Sequence, residues 1–531
     1  MDDSFLWWRD GIIYQIYPRS FADSNNDGFG DLPGMIAHLD YLADLGVDAL
    51  WLSPIYPSPD ADFGYDISDY CSIDPRYGTL DDFDRLVRQA HERGIHIIMD
   101  LVVNHTSDQH PWFLESKSSL DNPHRDWYIW KDPKPGNRPP NNWQSVFGGG
   151  GWEPDPATGQ SYFHMFVKGQ PDLNWRNPSV RKAILDSVRF WLDRGVDGFR
   201  LDVFNAYFKD AGFKDNPPAL GIRGFEQEKH VYDIDQPEMM PLLAELRSIL
   251  DQYPQRYAVG ETFLATPEKA ASYVGENALH AAFDFTFLEA GWNPAKILKT
   301  IQRWESALGP DKWPNYVLNN HDVPRIATRC HFDESDARGK VAAALLLTLR
   351  GTPFMYAGEE IGMRDISLRR SEILDPPGKH YWPFYKGRDG CRSPMQWDDK
   401  PYGGFSAHQP WLPVHHSYPY RNVKAQQVQE DSLLNFYRRL IELRKTTPAL
   451  RSGTFRVLPQ ASKDLLVYVR QDPSATMLIL LNFSNTHQNA LLPPDLAADW
   501  KLHISSRRRA MASVTDSLVL LSNEAIILEK G

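Results

Sequence analysis

Eight short apolar runs, most of them separated by stretches with helical spacing, constrain this chain more than any other feature. The runs fall at residues 11–17 (GIIYQIY), 47–52 (VDALWL), 95–103 (IHIIMDLVV), 196–201 (VDGFRL), 257–260 (YAVG), before Asp284 (AAFDF), 316–318 (YVL) and 353–357 (PFMYA). Between them, residues 32–45 carry Ile36, Leu39, Leu42, Ala43 and Leu45 near helical spacing. Residues 80–91 place Phe83, Leu86, Val87 and Ala90 on one face, with Gly94 as the stop, and residues 179–193 predict a further helix. Brief apolar runs without alternation suit strands buried on both faces, and strands alternating with helices predict an α/β chain with a parallel sheet. Eight such units predict a (β/α)₈ barrel.

The alternation breaks at residues 104–177, which are rich in Trp, Pro, Gly and Asn with little periodicity. A stretch that long inside a compact domain is functional or a small domain of its own. The expected organisation is therefore a barrel in two parts, 1–103 and 178–452, interrupted after strand three by an inserted domain at 104–177. A helical stretch at 432–444 closes the barrel. Short alternating runs at 454–458, 465–469, 477–483 and 517–521 then predict a small antiparallel β domain over 453–531.

Three of the strand ends carry a carboxylate: Asp202 in GVDGFRLDV, Glu261 in YAVGET and Asp322 in YVLNNHD. In a parallel barrel those ends face one shared pocket. Carboxylates held there are costly to bury unless paired or used; the plain alternative is a structural or metal-binding set. Arg200 lies two residues before Asp202, hence on the same face, where its guanidinium is expected to lower the carboxyl pKa. His321 precedes Asp322, and Gly260 before Glu261 permits close approach. Two carboxyl groups flanking a glycosidic bond are what glycoside hydrolysis requires. A separation of about 5–5.5 Å would mean retention through a covalent intermediate.

Bulk properties narrow the partners. The net charge of −12 over 531 residues argues against a nucleic-acid partner. No segment reaches the roughly 18 apolar residues of a membrane span. The opening MDDSFLWWRDG lacks the basic-then-apolar pattern of an export signal. Three widely spaced cysteines, Cys71, Cys330 and Cys391, fit reduced thiols and a cytoplasmic location. The 17 Trp, 23 Tyr and 26 Phe are ordinary core material that also suits stacking on sugar faces.

At the strand-end carboxylates the chain resembles the α-amylase family of glycoside hydrolases (family 13), in its α-glucosidase and oligo-1,6-glucosidase branch, over essentially its whole length. DLVVNH (100–105), GFRLDV (198–203), VGET (259–262) and NNHD (319–322) resemble the family's four signature segments, in order. GQPDLNW (169–175) and RSPMQWD (392–398) resemble segments of the glucosidase branch. The resemblance implies Asp202 as nucleophile, Glu261 as general acid/base and Asp322 as the residue that grips the sugar hydroxyls. It implies Arg200, His105 and His321 around the first subsite. Asp66, in FGYDISDY, would bind the terminal glucose with Arg392 as its ion-pair partner, against plainer readings as a turn residue and a surface salt bridge. Phe147 and Phe166 would flank the sugar ring or simply pack within the insert.

Asp23, Asn25, Asp27 and Asp31 in DSNNDGFGD alternate oxygen donors like the start of an EF-hand, but Gly34 stands where the terminal Glu belongs. The resemblance implies a structural Ca²⁺ there, completed by the carbonyl of Phe29; the alternative is an Asx-rich turn capping the next helix. No cofactor for catalysis is implied. The implied activity is exo-acting, retaining α-glucosidase action on short oligosaccharides of the maltose or isomaltose type, with acceptor alcohols or sugars able to replace water. Val203 after the nucleophile occurs with α-1,6 and with some α-1,4 specificities. VPRIATR after Asp322 lacks the RLDRD-like motif of sucrose isomerases, which weighs against an isomerase; a dedicated glucosyltransferase is the other alternative. A non-catalytic transporter-chaperone ectodomain would need a membrane anchor and damaged catalytic positions, and the sequence shows neither.

Overall fold

A computed structural model describes residues 5–496, 498–508 and 516–531. The first four residues of the stretch examined for an export signal lie outside the described residues. Eight parallel strands form a nearly closed barrel: β1 Ile13–Ile16, β2 Ala49–Leu52, β3 His96–Leu101, β4 Gly198–Leu201, β5 Tyr257–Gly260, β6 Ala281–Ala282, β7 Asn315–Val317 and β8 Thr352–Tyr356. Their spatial order is β7-β8-β1-β2-β3-β4-β5-β6. Alternate side chains divide between two cores, as strand geometry requires. Ile13, Ala49, Trp51, Ile98, Val259, Ala281, Val317 and Phe354 fill the barrel interior. Tyr14, Ile16, Leu50, Leu52, Ile97 and Met99 face the surrounding helices.

Helix Leu80–His91 starts on a reciprocal Thr79–Asp82 capping box, which satisfies two otherwise orphaned amides. The single helix expected over 32–45 is instead two, Leu32–Ala37 and Leu39–Leu45. The reason is His38. Its Nδ1 lies 2.8 Å from the Gly34 carbonyl, the acceptor its own amide would need, and that amide turns to Met35 and Ile36. The ring then packs on Trp397 at 3.9 Å between centroids.

Within the insert, Ser161–Phe163 lies between Trp130–Lys131 and Trp152–Pro154 in a three-stranded sheet. A fully buried ion pair, Lys209 Nζ to Asp172 at 2.8 Å, ties the insert to the loop after β4. The C-terminal region holds a five-stranded antiparallel sheet in the order Thr454–Val457, Leu465–Gln471, Thr476–Asn482, Ala525–Lys530, Trp500–Ser505. Gln488–Leu491 pairs separately with Ser517–Leu520. Among the described residues no helix is long and apolar enough to cross a membrane.

Candidate active site

The parallel register sets the site. Asp100 in β3 is level with Arg200 in β4, and Leu201 with Gly260 in β5, so the residues that follow, Asp202 and Glu261, emerge side by side. Gly260 is required for this closeness: a Cβ there would lie 2.3 Å from the Phe204 ring and 2.5 Å from Leu279. One guanidinium then binds three carboxylates. Arg200 Nη1 donates to Asp100 at 2.7 Å and to Asp202 at 2.6 Å, while Nη2 donates to Glu261 at 2.5 Å.

The expected lowering of the Asp202 pKa is overturned. Burial pushes its carboxyl well above the usual range, and the charges of Glu261 and Asp100 add to that push. Arg200 pulls the other way but is divided among three anions, so it does not offset the rest.

Asp322 arrives from beyond β7 and meets two guanidinium groups and the N–H of a neutral imidazole. Arg392 Nη2 lies 2.8 Å from it, Arg388 Nη1 3.4 Å and His321 Nε2 3.2 Å. Burial raises its pKa, but these partners more than offset that and hold the carboxyl well below the usual range. His321 receives a hydrogen bond on Nδ1 from Gln15 at 2.7 Å, which leaves its proton on Nε2, 2.5 Å from the Tyr65 hydroxyl. Burial drops its pKa to about 3, so the ring is neutral. His105 is likewise held neutral by burial, with Nε2 2.9 Å from the Tyr65 carbonyl.

The pocket over these groups is a cavity of about 250 Å³. His105, Asp202, Glu261 and Asp322 line it, with Phe147 and Phe166 from the insert and Val203, Phe263, Tyr385, Asp62 and Arg388 completing the wall. Asp284 and Glu359 also end barrel strands but stay out of it; Asp284 binds Thr286, and Glu359 binds Asn319 and Tyr437.

The expected Asp66–Arg392 pair does not form. Asp66 is sealed in its own turn, accepting from the amides of Ala61 at 2.8 Å and Asp62 at 2.9 Å and from the Ser58 hydroxyl at 2.8 Å. Burial pushes its carboxyl up to about 6. Arg392 reaches Asp322 instead. The pair that lines the pocket lies four residues earlier in both segments: Arg388 donates to Asp62 at 2.5 Å and is held from behind by Asp375 at 2.7 Å. Asp66→Ala is therefore expected to cost stability, about 1–3 kcal/mol from stranded donors, while leaving KM unchanged. Asp62→Ala should raise KM. Urea unfolding and steady-state kinetics on both variants check the exchange; a KM effect confined to Asp66→Ala would refute it.

In the 23–31 loop, Asp23 accepts from the amides of Asn26 and Gly28, Asn25 from Asp27, and Asp27 from Phe29. Asp31 caps helix Leu32–Ala37 through Gly34. The Asx-turn reading thus describes the loop's own geometry. The donors also suit a hard cation. Among the described residues no Lys or Arg pairs with Asp23, Asp27 or Asp31, and each oxygen of Asp23 and Asp27 accepts a single hydrogen bond, which leaves it a second lone pair.

A family model for the alpha-amylase catalytic domain matches residues 15–453, and the chain belongs to the α-amylase family, a glycoside hydrolase. It is 42% identical over 505 residues to a probable alpha-glucosidase of Rhizobium meliloti (strain 1021), covering 92% of this chain and 91% of that protein. It is 42% identical over 514 residues to the oligo-1,6-glucosidase of Parageobacillus thermoglucosidasius, covering 90% and 91%. The crystal structure of an alpha-glucosyl transfer enzyme superposes with a TM-score of 0.94 at 41% identity, covering 99% of this chain and 100% of that one.

Proposed function

We propose that this chain is a retaining, exo-acting α-glucosidase that removes a terminal glucose from short α-glucosides such as maltose or isomaltose. The observation that carries the mechanism is the placement of Asp202 and Glu261 on adjacent nitrogens of one guanidinium. A shared guanidinium supports the close carboxyl pair of a retaining enzyme over the separation of about 6.5–9.5 Å that an inverting enzyme keeps for its water. Asp202 attacks the anomeric carbon while Glu261 gives its proton to the leaving oxygen. Glu261 then takes a proton from water, which displaces Asp202 with a second inversion. Asp322, ionised, holds the sugar hydroxyls, and Phe147 and Phe166 bracket the ring. These side chains complete the chemistry without a cofactor. The barrel segments 1–103 and 178–452 supply the acids, the insert 104–177 supplies the aromatic wall, and 453–531 packs outside the site.

The wall formed by Asp62, Arg388 and Asp375 supports exo action, since it blocks extension beyond the terminal sugar. The structural similarity to an alpha-glucosyl transfer enzyme supports a second reaction, in which an acceptor sugar or alcohol replaces water. Initial rates on α-1,2, α-1,3, α-1,4 and α-1,6 glucose disaccharides and sucrose, with NMR of the products, test both. The expected first product is α-glucose. β-Glucose first would refute retention, and little free glucose beside new glucosides would make transfer the main activity.

The 23–31 loop is proposed to hold a structural Ca²⁺ through Asp23, Asn25, Asp27, Asp31 and the Phe29 carbonyl. Ca²⁺ at 100 times its Kd should add about 2.7 kcal/mol of stability. Melting in EDTA and in excess Ca²⁺ should differ for the wild type and coincide for Asp27→Ala; no Ca²⁺ effect on the wild type rejects the site. A cytoplasmic location is proposed from three unpaired cysteines, two of them buried.

A further inference from the structure

Between Tyr207 and helix Met239–Leu250 the chain makes a long loop beside the pocket. Arg223 of this loop lines the cavity, and Phe225 packs on Phe263, another lining residue, at 5.8 Å between rings. Behind Phe225, away from the reacting atoms, sit Glu228, His230 and Asp233. One donor atom from each lies within 4.8 Å of the others.

We propose that Glu228, His230 and Asp233 bind a divalent cation of the zinc class that staples this rim loop. His230 Nε2 lies 2.8 Å from the Phe225 carbonyl, so that nitrogen carries a proton and donates. Nδ1 faces an oxygen of Asp233 2.8 Å away. The contact is an ion pair in which the ring donates from both nitrogens, and a divalent cation would take the place of the Nδ1 proton. The other Asp233 oxygen, Oδ1, is buried with no hydrogen-bond partner, and the residue is 1% exposed. Stranding a carboxylate oxygen in this way is costly.

Glu228 adds a second carboxylate, receiving the Asn216 amide at 3.2 Å. Burial pushes its carboxyl up to about 7. Among the described residues no Lys or Arg pairs with Glu228 or Asp233. One imidazole nitrogen and two carboxylate oxygens are zinc donors, with a fourth place for water. A backbone carbonyl on the far imidazole nitrogen is the usual outer partner of a metal-bound histidine. Asn216 also accepts from the amides of Val231 and Tyr232, so a cation here would close the loop on itself.

In the second three-donor cluster, His91, His96 and Asp197, the carboxylate is already satisfied. Asp197 accepts from Arg256 at 3.0 Å and from the Ile97 amide at 2.8 Å.

The test is competition between the metal-free, full-length protein and a chromophoric chelator for Zn²⁺, in a His91→Ala background. One equivalent is expected. Asp233→Asn and His230→Ala should each weaken it by at least about tenfold, and Asp27→Ala should leave it unchanged. X-ray absorption of the zinc-loaded protein should show a single imidazole in the first coordination sphere. No stoichiometric zinc, binding indifferent to Asp233→Asn, or an oxygen-only sphere overturns the proposal. Asp233→Asn is nearly isosteric, so it decides the matter even if His230→Ala fails to fold.

Discussion

Replacing Asp202 by Asn is expected to lower kcat on the order of 10⁴-fold or more while the protein remains fully folded. The amide matches the carboxylate in shape but cannot form the covalent intermediate. Its effect on stability separates a catalytic from a structural role. Asp202 is one of three carboxylates on Arg200, and burial disfavours its charge. Neutralising it relieves like-charge repulsion, so the melting temperature should equal or exceed that of the wild type. Turnover within tenfold of wild type would remove Asp202 from the mechanism. Loss of activity accompanied by a large drop in melting temperature would make it structural.

Arg388→Ala should have the largest effect on stability, a loss of about 3–5 kcal/mol, because it leaves buried charge unpaired. Arg388 is 10% exposed and contacts Asp62 and Asp375, which are 5% and 0% exposed, as well as Asp322. The urea midpoint should fall, and KM for a disaccharide should rise because the wall behind the terminal sugar has gone. Adding Asp62→Asn should restore part of the midpoint, since one stranded charge is then removed, but should not restore KM. A single variant as stable as wild type, or a double variant no more stable than the single, would show that the network is not coupled as described.

The barrel was legible because its strands are buried on both faces and read as unbroken apolar runs, and the strand-end acids follow from where those runs stop. The back wall was not. FGYDISDY and its preceding residues offer Asp62 and Asp66, and the other segment offers Arg388 and Arg392, each pair four residues apart. Local pattern does not separate the members. The choice is made by which carboxylate the turn's own amides consume, and that is Asp66. The Asp202 pKa failed for a related reason. The sequence shows Arg200 beside one acid, whereas the register of β3, β4 and β5 brings it three. In the C-terminal region, Ala525–Lys530 and Trp500–Ser505 are strands that lie outside the runs expected from the sequence. The break at His38 depends on a ring capturing a backbone carbonyl, which periodicity cannot register.

The wall of Asp62, Arg388 and Asp375 also has a topological consequence. A blind-ended cavity admits only a molecule with a free tip, so ring-closed glucans offer it nothing to grasp, whatever their linkage. The freed glucose can leave only by the mouth through which it entered, after the rest of the chain has moved aside. The enzyme therefore cannot slide along a polymer; each sugar removed requires a separate encounter.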